Sequence, residues 1–380
     1  MNTGNQELIR ELNRAYVLKT LIQSSPLSRA DLAKKCHLTK ATISAIVQEL
    51  LDARLIREIG SGETALGRKP ILLQFNQTCG YAVSIDIGVH AFTVLISDLK
   101  GESCTLKEYK REGFEITIDE LSGIISRTLA AVPPCPYGVV GICLGVYGVV
   151  DGKEVLFTPH YHLEHKKDFC RLLEEKFHLP FFIENDANLS VLGEAVLHYD
   201  QKNMIYLNIH SGIGSGILIG GKVFKGKRGY AGEIGHTILV PNGRPCSCGN
   251  RGCLEQYASE TAILRDYASS KGLVCVSIED FVRDYQRQLP QAQKLIEDFI
   301  LYMSICINNL ILTYNPELII LNSSFTSYIP GLCERISNAL DNVNRDNVRL
   351  VTGQMQDVSE LLGGVAICSE HFIETYSQNI

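Results

Sequence analysis

The hydrophobic period of the chain changes at Gly80, and this change limits the fold more than any other feature. Beyond it, residues 81–88 and 91–98 form apolar runs rich in β-branched residues, which read as strands. Further strands are expected near 138–145, 180–184, 204–209 and 216–219, with a late buried one at 318–321. Helical periodicity lies between them, over 167–177, 187–196 and 292–313, and again at 361–372. Strands alternating with helices predict an α/β class.

Before Gly80 the order is different. Apolar positions at Leu8, Ile9, Leu12, Ala15, Tyr16, Leu18, Leu21 and Ile22 fit a helix over 7–23, stopped by Ser24-Ser25-Pro26. Ser28 is placed to cap a short helix from Arg29 to Lys35, with Asp31 three residues after the cap. A turn at Cys36-His37-Leu38 follows, and Thr39 caps a third helix, 40–52. A strand from Leu55, a Gly60-Ser61-Gly62 turn and a returning strand at 71–75 complete the segment. Helix, helix, turn, helix, hairpin is the order of a winged helix-turn-helix, and residues 1–75 are expected to form that domain.

This segment holds eleven Lys and Arg against seven Asp and Glu, while the whole chain has a net charge of −6. The head therefore carries four surplus positive charges and the remainder ten negative ones, a balance suited to a polyanion at the head alone. A recognition helix needs short polar side chains at its exposed N-terminal face to reach base edges in the major groove. Thr39, Lys40, Thr42, Ser44 and Gln48 meet that need, with Ile43, Ile46, Val47 and Leu50 on the opposite face. Arg29, Lys34 and Lys35 are placed for phosphates. Arg68 and Lys69, in Gly67-Arg68-Lys69-Pro70, offer two cations from the hairpin, suited to a narrow minor groove. The expected partner is double-stranded operator DNA. A basic helical face used for protein contacts is the competing reading.

Thirteen cysteines are scattered through the chain without a signal-peptide core, so most are expected to be reduced and buried. No membrane span is expected, and the location expected is cytoplasmic. Three cysteines are clustered. Cys246, Cys248 and Cys253 lie within eight residues among glycines, and His236 precedes them by ten. Three thiolates and an imidazole make a closed tetrahedral Zn²⁺ site. With all four positions filled by protein, the zinc is expected to be structural, fixing His236. The alternative is three free buried cysteines.

The stretch Tyr230-Ala-Gly-Glu-Ile-Gly-His236, followed by Cys246-Ser-Cys-Gly-Asn-Arg-Gly-Cys-Leu-Glu255, resembles the signature of the ROK family (repressors, open reading frames and kinases). Glu184-Asn-Asp-Ala-Asn188 with Gly193-Glu194 resembles that family's sugar-binding strand end and helix. The N-terminal segment is similar to the family's xylose and N-acetylglucosamine repressor branch. The resemblance implies an actin-like, ribonuclease-H-like, two-lobed sugar-kinase fold over 76–380, with an N-terminal winged helix-turn-helix. One lobe is expected at about 76–185 plus 365–380, the other at about 186–364. It also implies a homodimer or homotetramer.

By the same resemblance, Asn185 and Asp186 match a pair that hydrogen-bonds sugar hydroxyls, and the matching Asp is the catalytic base in the kinases. Glu233 and Glu255 match further hydroxyl acceptors, and His236 matches a residue that ligates zinc and faces the sugar. The chemistry suits a polyol, whose many hydroxyl donors pair with carboxylates and an amide.

The ATP-handling parts depart from the kinase pattern. Family kinases carry Asp-x-Gly-Gly-Thr where this chain reads Asp86-Ile-Gly-Val89-His90, so a Cβ crowds the phosphate loop and a hydroxyl is lost. A strand end that is usually Gly-Gly reads Leu321-Asn322-Ser323-Ser324. Tyr147 stands where the family usually has proline, in a loop bordering the cleft. Ser211-Gly-Ile-Gly-Ser-Gly216 is a glycine-rich turn of a kind that can cradle phosphate or simply turn a strand. Gly363-Gly364 is expected to serve helix packing. The expectation is a sugar-responsive repressor without enzyme activity; an active ATP-dependent sugar kinase with an appended DNA-binding head is the alternative.

Overall fold

Local capping sets the head. The computed structural model describes residues 3–61, 69–340, 348–355 and 358–378. Ser28 caps the helix Arg29–Cys36 through a reciprocal box: its Oγ accepts from the Asp31 amide and its own amide donates to the Asp31 carboxylate. Two hydrogen bonds from Ser28 hold the Asp31 carboxyl below its usual range. Thr39 caps Lys40–Asp52 by accepting from the Thr42 amide at 3.1 Å. Ile43, Ile46, Val47 and Leu50 of that helix are buried against Val17, Leu18 and Leu21 of the first helix, Thr3–Ser24. Full burial of such side chains stabilises by roughly 1.5–3 kcal/mol each. Ile56–Ser61 pairs antiparallel with Ile71–Phe75, and a short strand, Leu27–Ser28, joins the other side as a third.

The first helix departs from expectation in one respect. Only its C-terminal half is packed; Leu8, Ile9, Leu12 and Tyr16 are exposed. The apolar period was a correct guide to the helix but not to which part of it is covered.

Two compact units make up the chain. One comprises 1–144, 161–182 and 364–380, the other 145–160 and 183–363. The head thus groups with the first sheet, and its core continues into Leu99, Val140 and Ile373. Residues 145–160, expected in the first lobe, group with the second unit instead.

Each unit is built on a five-stranded sheet, as an actin-like chain requires. In the first the strand order is 181–185, 139–146, 81–87, 91–98, 104–110, with the last three antiparallel in sequence. In the second it is 222–223, 213–219, 204–209, 318–322, 349–352; Met204–Ile209 runs parallel to Leu318–Asn322 and antiparallel to Ile213–Ile219. The helix Pro290–Tyr314 packs Phe299, Met303, Ile307 and Ile311 into the core beside the second sheet. Among the described residues it is the one helix long and apolar enough to cross a membrane, and half of it is buried.

The C-terminal helix, Ser359–Gln378, begins in the second unit and ends in the first. Gly363 lets it lie against the helix Asp186–Leu197: a Cβ there would stand 1.9 Å from the Leu189 carbonyl oxygen. Close packing therefore accounts for this glycine.

Candidate sugar pocket, metal centre and DNA-facing helix

Strand Phe181–Asn185 ends where helix Asp186–Leu197 begins, and Asn185 is the cap. Its Oδ1 accepts from the Ala187 and Asn188 amides at 2.9 and 3.1 Å. Its Nδ2 donates to the Gly148 carbonyl and to Asp186 Oδ1, both at 2.9 Å. Both protons and both lone pairs of the amide are thereby committed within the chain. Asp186 stands at the first position of the helix, and Asn208 donates to its other oxygen at 3.1 Å. Burial pushes the Asp186 carboxyl up to about 6, against the pull of the Asn208 hydrogen bond and the helix-start amides.

Asp186 lines a cavity of about 340 Å³ that lies wholly within the second unit. That is the small end of the range for ligand pockets, about 300–1,000 Å³. Asn185, Glu233, His236 and Glu255 share the wall, so all five expected sugar residues meet at one place. Burial raises the Glu233 carboxyl above its usual range, and nearby Asp186 and Glu255 add to the rise. Glu255 Oε2 accepts from the Ile213 amide at 3.2 Å, which commits one amide of the glycine-rich turn to a protein carboxylate.

Tyr147, expected in a loop bordering the cleft, and Ser211 to Gly214 of the glycine-rich turn also line the cavity, whereas the other polar and aromatic wall residues were not singled out from the sequence. Phe157, His160, Asn208 and His210 come from segments distant in sequence and carry no motif of their own. Asn322 donates to Asn208 Oδ1 at 3.0 Å and lies 3.2 Å from His210 Nε2. His210 Nδ1 is 3.4 Å from Glu260. Glu260 in turn accepts from Ser323 Oγ, the Ser324 amide and Ser324 Oγ at 2.9, 2.6 and 3.1 Å. Although buried, Glu260 is held below the usual carboxylate range by His210 and these donors.

Next to the cavity, His236, Cys246, Cys248 and Cys253 bring their ligand atoms within 4.8 Å of one another. Cys248 Sγ and Cys253 Sγ are 3.7 Å apart, and Cys246 Sγ is 3.5 Å from His236 Nδ1. A tetrahedron with metal–sulfur bonds of about 2.3 Å and a metal–nitrogen bond of about 2.0 Å has edges of roughly 3.8 and 3.5 Å. The cluster can hold a metal ion. Burial opposes ionisation of Cys246, yet hydrogen bonds from Cys248, Cys253 and His236 bring its thiol down to about 7. Burial pushes Cys253 up to about 12. The loop can close because Gly252 has φ +87°; a Cβ there would meet the Val240 carbonyl oxygen at 1.7 Å. Nδ1 faces the thiols, while Nε2 lies 3.9 Å from Glu233 Oε2, so one imidazole joins cluster and cavity.

In the head, Lys34, Lys35, Thr39, Lys40, Ser44, Gln48 and Lys69 are exposed. Thr42 is half-buried and its hydroxyl lies 2.8 Å from that of Thr39. Arg29 pairs with Glu58 at 3.3 Å. Arg68 lies outside the described residues. In the first unit, the Asp86–His90 turn gives its Val89 carbonyl to Arg111 Nη1 at 2.7 Å.

The chain resembles known proteins over most of its length. The ROK family profile matches residues 82–371. A xylose repressor of Bacillus spizizenii is 33% identical over 98% of this chain and 99% of its own length. The crystal structure of a ROK family transcriptional regulator, a homologue of the Escherichia coli MLC protein, superposes with a TM-score of 0.81 at 28% identity, covering 97% of this chain and 98% of that one. The ROK hexokinase of Thermus thermophilus gives a TM-score of 0.66 at 26% identity, over 75% of this chain and 97% of the enzyme. With its signature loop, two-sheet architecture and full-length likeness to repressors, the chain belongs to the ROK family.

Proposed function

We propose that this chain is a sugar-responsive transcriptional repressor of the cytoplasm, acting as a homodimer or homotetramer on operator DNA. The observation that carries the reading is the small cavity in which Asp186, Glu233, His236 and Glu255 converge. Three carboxylates and an imidazole suit a small polyol, which has hydroxyl donors for each. The repressor names of full-length relatives point the same way. Asp186, Glu233, Glu255 and His236 take sugar hydroxyls. Asn185 acts mainly by holding Asp186, because its amide has no proton to spare unless the bond to Gly148 or to Asp186 is given up.

His236, Cys246, Cys248 and Cys253 suit Zn²⁺ in kind and in spacing. Bound there, zinc would balance most of the thiolate charge and leave no open coordination position. His236 would then present Nε2 to the cavity in one orientation, which lowers the ordering cost of sugar binding.

In the head, Thr39, Lys40, Thr42, Ser44 and Gln48 are assigned to base edges, Arg29, Lys34 and Lys35 to phosphates, and Arg68 and Lys69 to the minor groove. Arg29 must share itself with Glu58, and Thr42 with Thr39. Sugar alters operator affinity by favouring one of two states of the chain, a coupling of typically about 1–3 kcal/mol.

The kinase alternative is disfavoured by two features. Val89 and His90 stand in the phosphate-loop turn. The Glu260 carboxylate caps Ser323 and Ser324, placing negative charge at the strand end where family kinases usually have Gly-Gly. The test is a thermal-shift screen against pentoses, hexoses and amino sugars, followed by operator binding with each hit and a turnover assay with Mg-ATP. A stabilising sugar that changes operator affinity is expected. Turnover of any sugar, or no sugar effect on DNA binding, refutes the reading.

A further inference from the structure

The cavity around Asp186 is two-sided. Carboxylates, amides and imidazoles make up its polar side. Among the described residues, and Ile213 aside, the apolar side chains that line it are Tyr147, Val149, Phe157 and Pro159, all from one stretch of the second unit, 147–160. The core of that stretch is a hairpin in which Val149–Asp151 pairs antiparallel with Glu154–Phe157. Its register shifts between Val155 and Phe157. Regular alternation would give these two residues the same face. Instead Val155 is fully buried, whereas Phe157 is 55% exposed and lines the cavity. Shifts of this kind re-aim a side chain and recur beside binding sites.

The hairpin is braced against the polar side. A Cβ on Gly148 would stand 2.0 Å from the Phe157 carbonyl oxygen, so the two backbones touch. Gly148 is also the residue whose carbonyl accepts from Asn185 Nδ2, next to Asp186. Behind the hairpin, a Cβ on Gly229 would stand 2.0 Å from the Val150 carbonyl oxygen, so the segment leading to Glu233 packs there. The aromatic ring is thus tied to the same segments that carry two of the carboxylates. Such a cavity calls for a ligand that is polar at its rim and apolar on one face. A wholly polar ligand leaves the Phe157 ring against water. A wholly apolar one buries the carboxylates of Asp186, Glu233 and Glu255 without partners.

We propose that Phe157 is the platform on which a pyranose lays one C–H face, while its rim hydroxyls meet Asp186, Glu233 and Glu255. The negative face of the aromatic ring attracts the ring hydrogens of the sugar, which neighbouring oxygens polarise. Phe157 is then a specificity-determining residue: the carboxylates accept from any polyol, and the platform selects a closed ring. This rests on the sugar reading of the same cavity and adds to it the residue that recognises the ring.

The experiment is calorimetric titration of the full chain with D-xylose, D-glucose and N-acetyl-D-glucosamine, in the wild type and in variants at 157. Phe157→Ala is expected to bind roughly tenfold more weakly, and Phe157→Tyr within about threefold of wild type. The position is already exposed, so folding should survive, as circular dichroism would show. A second readout is spectroscopic. The chain has no tryptophan, so Phe157→Trp installs a single reporter in the cavity. That variant is expected to keep its sugar affinity and to change its emission on saturation. Wild type that binds none of the three sugars would sink the sugar reading and this proposal together. Wild type that binds, with Phe157→Ala binding as tightly, would overturn the proposal alone. So would tryptophan emission that stays unchanged while calorimetry shows sugar bound. A loss for N-acetyl-D-glucosamine with none for D-glucose would give the apolar side to the acetyl methyl group instead, and would overturn it too.

Discussion

The Tyr137 hydroxyl donates a 2.9 Å hydrogen bond to the backbone carbonyl of Ala53, the residue that ends the 40–52 helix of the head. The Tyr137 ring also packs edge-on against Phe372 and Tyr376, at 5.0 and 5.9 Å, near the end of the C-terminal helix. The start of that helix is held differently. Ser359 donates to buried Glu194 at 3.0 Å, and Glu194 lies two turns along the helix that begins with Asp186. One helix thus carries Ser359, tied within the second unit to the helix of Asp186, and Phe372 and Tyr376, packed within the first unit beside Tyr137. Spatial continuity is not by itself coupling.

Tyr137→Phe tests whether it is. The change removes the hydroxyl's bond to Ala53 and its interaction with Tyr376, about 1 kcal/mol each, and keeps the aromatic packing. Sugar affinity and sugar-free operator affinity are expected to stay within about twofold, while the factor by which sugar changes operator affinity falls. Fluorescence anisotropy on operator DNA, with and without saturating sugar, reads that factor. An unchanged factor would show that the signal travels elsewhere.

The position of Asp186 predicts a pH dependence. Its carboxyl titrates at about 6 rather than near 4 because it is buried. A sugar hydroxyl donates to the ionised form, so affinity should be flat above pH 7. Below about 6 it should weaken, approaching tenfold per pH unit. The sign for stability is opposite. The folded state holds this proton more tightly than the unfolded one, so this group favours folding more as pH falls from about 6 towards 4. Asp186→Asn should weaken sugar binding, abolish the step near 6 and leave operator affinity unchanged. Calorimetric titrations between pH 5 and 8 would show a persistent step in the variant if another group were responsible.

Much of this was legible in the residues. The caps at Ser28 and Thr39 fix helix starts through short-range hydrogen bonds, and those starts agree within a residue or two. The strands at 204–209 and 318–322 are almost wholly buried and read as apolar runs interrupted only by Asn208 and Asn322. The strand at 213–219 was expected only from 216, because Gly214 and the turn before it mask its beginning. Cys104–Lys110 was missed altogether: it is an edge strand, mostly exposed, without apolar alternation. In the cavity, motif residues were legible and solitary ones were not. Nothing near His160 in sequence announces that folding places it in the cavity of Asp186, and His210 is marked only by the glycine-rich turn that follows it. Nor does sequence show that the Asn185 amide protons are already committed, since one of them depends on where Gly148 lies.

The metal cluster should make sugar binding depend on metal. One zinc per chain is expected on elemental analysis, released by a thiol reagent. Cys248→Ser removes a ligand from the exposed side of the cluster and should bring the content close to zero. With the loop released, His236 and Glu255 lose their fixed positions, and sugar affinity should drop roughly tenfold or more. A fully metallated variant would remove Cys248 from the ligand set. Unaltered sugar affinity in a zinc-free variant would separate the cluster from the cavity.

The head offers two residues whose substitution should read differently. Lys35 is exposed in the last turn of the Arg29–Cys36 helix, whereas Ser44 is exposed on the 40–52 helix. A phosphate contact acts on every sequence alike, because what it releases is counterions. Lys35→Ala should therefore weaken operator and random duplex by similar factors and lower the salt slope by about 1. Ser44→Ala should leave random duplex almost untouched and cost about 1–3 kcal/mol on the operator alone. The difference survives any uncertainty over absolute affinity, since each variant serves as the other's control. Linkage extends the same measurement: whatever factor the sugar imposes on operator binding, operator must impose on sugar binding. A sugar that binds equally well to free chain and to the operator complex would leave the cavity and the head as two unconnected sites.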